Sequence, residues 1–254
     1  MSSSPPPVAL GPGETLDRLS GAWWILQLAR GHRYAADDVL TAAAGLEAAP
    51  GALRVLELCA GLGSVGLMVL QRLAPEARLV TLEVQQVSHA LQRRTIALNH
   101  LTGRVVPLLG DLREPEHLAS QAPFDLILAN PPYLPPGSAT PSPHPQRATA
   151  RLELHGDVFD LCRAVAPHLA PAGRFCLCYS ARDPRPERAI AAAGLSLLAR
   201  QDVRFRHDQP PMIALFTCAW QGERSRPPEI SLRGPDGAWT EAWRRVRRRL
   251  EIEA

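Results

Sequence analysis

Lysine is absent from the 254 residues, so all 28 basic side chains are arginines. Genomic base composition is the bland source of such a bias. Its chemical consequence is that any phosphate this chain grips meets a planar guanidinium fork. Long apolar runs are also missing: none approaches the about 20 residues that a membrane-spanning helix needs. The opening MSSSPPPVALGPGE has no basic residue and no continuous apolar stretch, which excludes the layout of a secretory signal. Residues 1–14 are expected to be a disordered lead-in, with a cytoplasmic location as the default. The five cysteines, Cys59, Cys162, Cys176, Cys178 and Cys218, lack disulfide or zinc spacing, so no metal is expected. Cys176 and Cys178 alternate in RFCLCYS, which predicts reduced, buried thiols on one side of a strand. A net charge of +3 gives no argument for nucleic acid from charge alone. No internal repeat is present.

What is there suits one α/β domain with short additions. The hydrophobic fraction of 46% is ordinary for a globular core. Residues 15–31, TLDRLSGAWWILQLARG, are expected to be an amphipathic helix or turn region within a helical extension over 15–50. Asp37 or Asp38 then lies near a helix start, where a carboxylate caps exposed N–H groups. Over 51–222, strand-length apolar runs at 53–59, 78–84, 104–110, 124–130 and 173–180 alternate with helical patterns at 64–73, 85–101, about 157–170 and about 184–193. SLLARQDVRF and PMIALFTCAW resemble a closing strand pair. Residues 223–254 are expected to add a strand and a basic helix to the same domain. The alternation predicts a mostly parallel sheet covered on both faces. Such sheets bind ligands outside the carboxyl ends of their strands. The segment Glu57 to Gly63 with Glu83, Asp111 and Asn130 should therefore line one crevice. The proline-rich stretch 131–146 follows one of these strand ends, and a long loop there is more often functional than idle.

Gly61, Gly63 and Gly66 form G-x-G-x-x-G between a strand and a helix. Glycine allows the sharp turn and lets a ligand approach the backbone. Dinucleotide enzymes share this pattern, so alone it is weak. Glu83 ends the next strand, where a carboxylate accepts from a ribose diol; a solvated strand-end acid is the alternative. Two acids favour S-adenosylmethionine (SAM) over a dinucleotide. Glu57, inside the strand before the glycines, opposes a pyrophosphate but suits a cationic amino-acid moiety. Asp111, after the third strand, suits the exocyclic amine of an adenine, although a turn acid reads the same. With Glu57–Gly63, Glu83 and Asp111 in place, the chain resembles the class I SAM-dependent methyltransferases. That resemblance implies a Rossmann-like, mostly parallel seven-stranded sheet with an antiparallel closing strand. It also implies Glu57, Cys59, Ala60, Gly61, Gly63, Glu83, Val84, Asp111, Leu112 and Asn130 as cofactor contacts.

Asn130-Pro131-Pro132-Tyr133 follows FDLILA at a strand's carboxyl end. A planar amine is a poor nucleophile because its lone pair is delocalised. Two acceptors on its hydrogens pull the nitrogen toward a tetrahedral shape and free that pair. The Asn130 side-chain oxygen and the Pro131 carbonyl can supply them, the prolines stiffen the segment, and Tyr133 offers a face for stacking. Catalysis is then mostly positioning and charge stabilisation. A strand-ending proline turn is the alternative. The motif resembles that of amino-methyltransferases acting on adenine, cytosine or protein glutamine.

Only about 50 residues precede the glycine loop, fewer than the helical domain usual in release-factor glutamine methyltransferases. The early GHRYAADDVL, the loop with Ala139-Thr140-Pro141, and the tail elements Arg233 to Asp236 and Thr240 to Ala242 resemble the bacterial tRNA (adenine-N6)-methyltransferases. These modify the adenine just after the anticodon of valine tRNA. Departures are Leu134 after the tyrosine, the proline-rich loop and the absent lysine-glycine pattern. The resemblance implies tRNA as partner, with Tyr133, Arg33, Arg244, Arg245 and Arg248 as RNA contacts. The tail arginines have a bland alternative as a solvated helix end. Protein glutamine, a small metabolite, or RNA binding without turnover are the competing functions; the intact Glu57, Gly61, Gly63, Glu83 and Asn130 oppose the last.

Overall fold

The computed structural model describes residues 5–121, 123–138, 140 and 142–253. The first four residues of the expected lead-in, and Ala139 and Pro141 of the loop, lie outside the described residues. The chain begins its regular structure with a hairpin, β1 (Glu14–Ser20) paired antiparallel with β2 (Trp23–Leu28). This corrects the expected helix or turn over 15–31, and with it the helical extension over 15–50. Adjacent tryptophans and Ile25 favour extended backbone, and Gly21 turns the hairpin at φ +54°. The outer edge of β2 is capped by a helix: Trp24 N–H donates to Asn99 Oδ1 at 2.8 Å and Leu26 N–H to Thr95 Oγ1 at 3.1 Å. Side chains from 70 residues away thus satisfy donors that an isolated strand would leave to water.

After the hairpin come α1 (Ala36–Ala48), β3 (Arg54–Leu58), α2 (Ser64–Arg72), β4 (Arg78–Glu83), α3 (Gln86–Leu98), β5 (Val105–Leu109) and β6 (Phe124–Ala129). A short α4 (Pro145–Thr149), α5 (Val158–Val165), β7 (Leu169–Ser180), α6 (Arg185–Ala192), β8 (Ser196–Arg206) and β9 (Ile213–Ala219) follow. The tail adds β10 (Ile230–Arg233) and α7 (Glu241–Arg249). The sheet has eight strands in the order β10-β8-β9-β7-β6-β3-β4-β5, and β9 alone runs antiparallel to its neighbours. The resemblance implied seven strands; the eighth is β10, which pairs parallel with β8. Its registration with Val203 and Arg206 covers an edge that would otherwise stay open.

Strand alternation divides the core into two layers. Val55, Leu79, Leu126, Leu128, Cys176 and Cys178 pack against α1, α2, α3 and the hairpin. Leu56, Leu58, Val80, Ile127, Phe175 and Leu177 pack against α5 and α6 on the other face. Each buried leucine contributes about 1.5–3 kcal/mol. All five cysteines are free thiols, four of them buried. The tail belongs to the first layer: Trp243 and Leu250 of the α7 region are buried in it, and Ser20 Oγ donates to the Leu250 carbonyl at 2.5 Å.

Candidate active site

The carboxyl ends of the parallel strands open onto a crevice of about 750 Å³, counted out to its mouth. Cys59, Gly61, Glu83, Val84, Asp111, Leu112, Asn130, Pro131 and Pro132 all line it. The strand-end grouping expected from the sequence therefore meets in space. Glu57, Ala60 and Gly63 do not line it. Gly63 is the N-cap of α2 at φ +75°, and its N–H donates to the Ala60 carbonyl at 2.7 Å. Glu57 is buried, and its Oε2 accepts from Gly66 N–H at 2.9 Å. It braces the first turn of α2 from below, where a helix N-terminus favours a carboxylate. Burial pushes its pKa well above the usual carboxylate range.

The three glycines divide the work of the turn. Gly61 sits at φ +54° with open space where a Cβ would project, so a ligand can approach its backbone. A Cβ on Gly66 would lie 2.6 Å from Glu57 Oε2 and 2.8 Å from Leu79 Cδ1, so close packing of helix on strand demands glycine there. Gly66→Ala should destabilise the fold by about 1–3 kcal/mol, read by urea unfolding. Unchanged stability would mean that the helix can lift off the strand freely.

Glu83 is buried at the end of β4. Its Oε2 accepts from Gly61 N–H at 2.7 Å and its Oε1 from Gln85 N–H at 2.8 Å. Burial raises its pKa, and these backbone donors oppose the rise. Asp111 is held instead by Arg113, whose guanidinium donates to both oxygens; these bonds lower its pKa. Burial pushes the Cys59 thiol well up, so it stays protonated. Asp157, which caps α5, adds a third carboxylate to the wall. Among the described residues, no arginine lines this crevice, in a chain that has 28 basic residues. A carboxylate-lined, arginine-free cleft with apolar Val84, Leu112 and Leu161 on its walls suits a cationic cofactor carrying a flat ring.

The Asn-Pro-Pro segment is a shared wall. Behind it opens a second space lined by His32, Arg33, Asp37, Tyr133, Leu134, Arg147 and Arg151, and Asn130, Pro131 and Pro132 line both. Tyr133 thus faces this vestibule and not the crevice. Its ring lies 5.8 Å from that of Tyr179, tilted by 57°. Burial raises its phenol to about 12, so it is neutral. Tyr179 in turn is hydrogen-bonded to Glu153, which Arg185 grips through both terminal nitrogens at 3.0 Å. Arg33 lines the vestibule but is paired with Asp17 at 2.8 Å. Arg244, Arg245 and Arg248 line neither space. They are exposed on α7, which packs beside α1, and Arg248 is paired with Glu241.

Sequence reasoning missed Arg147, Arg151, His32, Asp157 and Asp38. The first two lie on and just after α4, past the proline-rich loop already singled out. His32 and Asp38 lie in GHRYAADDVL, where Arg33 was expected to meet RNA and Asp37 or Asp38 only to cap a helix. Gln146 holds the two segments together: its Oε1 accepts from His32 N–H at 2.9 Å, and its Nε2 donates to Ser88 Oγ at 3.1 Å. Burial lowers the His32 pKa, which leaves the imidazole neutral between the two spaces.

A family model for the methyltransferase small domain matches residues 43–145. A Porphyromonas gingivalis tRNA1(Val) (adenine(37)-N6)-methyltransferase is 31% identical over 185 residues, covering 70% of this chain and 71% of the relative. The chain belongs to this methyltransferase family. A member of that family from Tolumonas auensis is 27% identical over 192 residues, covering 75% and 78% of the two chains. The fold matches a predicted O-methyltransferase of Agrobacterium tumefaciens with TM-score 0.61 at 19% identity, over 86% of this chain and 98% of the other. It also matches TrmN from Thermus thermophilus with TM-score 0.50 at 22% identity, over 71% of this chain and about half (48%) of the other. As a family member the chain is a SAM-dependent methyltransferase with the class I fold. Among the described residues, no group of three His, Cys, Asp or Glu side chains is placed to hold a metal. No described helix is long and apolar enough to cross a membrane.

Proposed function

We propose that this methyltransferase transfers a methyl group to the N6 amine of an adenine in tRNA, as its relatives are named for doing. One observation carries the reading. The Asn130 side-chain oxygen is buried and finds no hydrogen-bond partner among the described residues, at the wall between a carboxylate-lined crevice and an arginine-rimmed vestibule. An unpaired buried acceptor costs about 1–3 kcal/mol. It is retained here because a planar amine supplies the missing donor.

The carboxylate-lined crevice suits SAM by charge, with Glu83 read as the acceptor for its ribose diol and Val84 and Leu112 as walls for its adenine ring. When bound, it supplies a methyl group on a positively charged sulfur. The protein's own task is positioning. Asn130 Oδ1 and the Pro131 carbonyl accept from the two amine hydrogens, which turns the nitrogen lone pair out of conjugation. SAM held in the crevice would supply its methyl group to that nitrogen, and the Asn130 and Pro131 acceptors would hold the amine hydrogens until one left as a proton to water. Preorganised acceptors need no reorganisation during the step. A base must leave its stack to reach them, at a cost of a few kcal/mol, and the face of Tyr133 in the vestibule offsets part of that. A tRNA acceptor implies a cytoplasmic reaction.

Arg147 and Arg151 are exposed at the vestibule beside Arg33, with no acid paired to either side chain among the described residues. They are placed for phosphates flanking the flipped base. The double variant Arg147→Ala/Arg151→Ala should weaken tRNA binding and flatten its logarithmic salt dependence by about two units, one per phosphate contact. Arg244→Ala/Arg245→Ala on α7 should change the slope less. A slope unaltered by the vestibule pair would remove them from the interface. The reading as a whole is tested by transfer of a labelled methyl group to unmodified total tRNA, followed by nucleoside mass spectrometry. N6-methyladenosine is expected. Label in protein glutamine, or in no RNA, would overturn it.

A further inference from the structure

Asp38 belongs to the first turn of α1, within the chain that precedes the glycine loop, yet its side chain ends at the substrate wall. Its Oδ2 accepts from Ala35 N–H at 2.8 Å, which fixes the helix start. Its Oδ1 accepts from Ser64 Oγ, at the first residue of α2, and from Asn130 Nδ2, both at 3.2 Å. The carboxylate is buried. One acid therefore joins the helix after the hairpin, the helix after the glycine loop, and the asparagine of the substrate motif.

Charge type makes this contact directional. An asparagine amide has a donor end and an acceptor end, and the two are nearly the same in shape. An ionised carboxylate only accepts, so it selects the NH₂ end of Asn130 and turns Oδ1 the other way. That Oδ1 is among the buried polar atoms that find no hydrogen-bond partner among the described residues. We propose that Asp38 is a positioning residue for methyl transfer, aiming the Asn130 amide so that its oxygen faces the acceptor amine. The inference rests on the reading of Asn130 above. Asp38 touches neither cofactor nor substrate and acts through the asparagine alone.

Protonation would reverse the contact. A neutral Asp38 carries an O–H that donates, and the favoured partner is then Asn130 Oδ1, which presents NH₂ to the amine and repels it. The groups acting on Asp38 favour such a change within the working pH range. Asp37 from α1 and Glu57 from β3 are acidic, and Tyr34, Tyr133 and Cys178 face it as neutral groups. Burial first, and Asp37 second, push its pKa up to about 7, against the hydrogen bonds from Ala35, Asn130 and Ser64. The active form is the ionised one, so the turnover it supports is present above the pKa and lost as pH falls through it.

The test uses the full chain with saturating SAM and tRNA and compares it with Asp38→Asn, which keeps the side chain's shape. The expected result is a fall in kcat of at least about tenfold, SAM affinity within about twofold, and loss of the acid limb that the unaltered enzyme shows near pH 7. Retained kcat with the limb intact overturns the proposal. So does a parallel loss of SAM affinity, which would mark a merely structural acid. A second measurement needs no turnover: the side-chain NH₂ resonances of Asn130, followed by NMR through the same pH range without RNA. They should titrate in the unaltered protein and not in Asp38→Asn, and resonances that ignore pH overturn the assignment. Absence of RNA methylation by the unaltered enzyme, with the titration present, would instead sink the tRNA reading and leave the Asp38 contact standing.

Discussion

Asn130→Ala should lower kcat by about a hundred- to a thousandfold while SAM affinity stays within a few-fold. The variant removes an acceptor that meets the amine, and such contacts strengthen as the nitrogen becomes tetrahedral and positive. The loss therefore falls on the transition state and appears in kcat. Little else depends on the side chain. Among the described residues its side chain bonds to Asp38, which keeps Ser64 and the Ala35 N–H as partners. Single-turnover transfer of labelled methyl to tRNA measures the first quantity and calorimetry with SAM the second. Near-normal turnover would show that the oxygen is not an acceptor in the reaction. A collapse of SAM binding would show that Asn130 serves the cofactor instead.

Glu83→Ala should do the reverse, weakening SAM binding by about 10- to 100-fold, since a hydrogen bond to a charged group is worth about 1.5–3 kcal/mol. Glu83 also accepts from the Gly61 and Gln85 N–H groups, so the alanine variant loosens the glycine turn as well. Glu83→Gln separates the two effects, because it keeps an acceptor for one of these donors. If the carboxylate serves the ribose, the glutamine variant should bind SAM with intermediate affinity and lose the dependence described next. Burial raises the Glu83 pKa, and the form that accepts from a diol is the ionised one. Affinity for SAM should thus fall on acidification in the unaltered enzyme. Calorimetry across that range checks it, and equal affinity for all three proteins would remove Glu83 from the site.

Much of the architecture was legible because it is written in short range. The glycine turn, the strand and helix periods, and the caps each depend on residues within about a dozen positions. The elements from Arg54 to Ala129 accordingly stand close to where the patterns put them. The rule that ligands gather at strand carboxyl ends then sufficed to bring Gly61, Glu83, Asp111 and Asn130 to one crevice. The N-terminal segment failed the same treatment. Leu16, Leu19, Trp23 and Leu26 fit a helical stripe as readily as a strand. What makes them a hairpin is an edge capped by Thr95 of α3 and by Asn99 just past its end, which no local pattern contains.

The substrate side was legible in chemistry but not in position. Arg244, Arg245 and Arg248 in the tail drew attention as RNA contacts, whereas packing buries Trp243 and turns α7 alongside α1, off both spaces. Arg147 and Arg151 stand apart in sequence from any basic cluster, and α4 brings them to the vestibule. Residue order alone was enough to specify a methyl-transfer sheet, its glycine turn and an asparagine-proline motif in register with it, since each is set by neighbours along the chain. The partnership of Asp38 with Asn130, 92 residues apart, and the division into an acidic crevice and a basic vestibule arose from packing. Contacts at such separations are chosen by how helices close over the sheet, and local backbone preference carries no information about that.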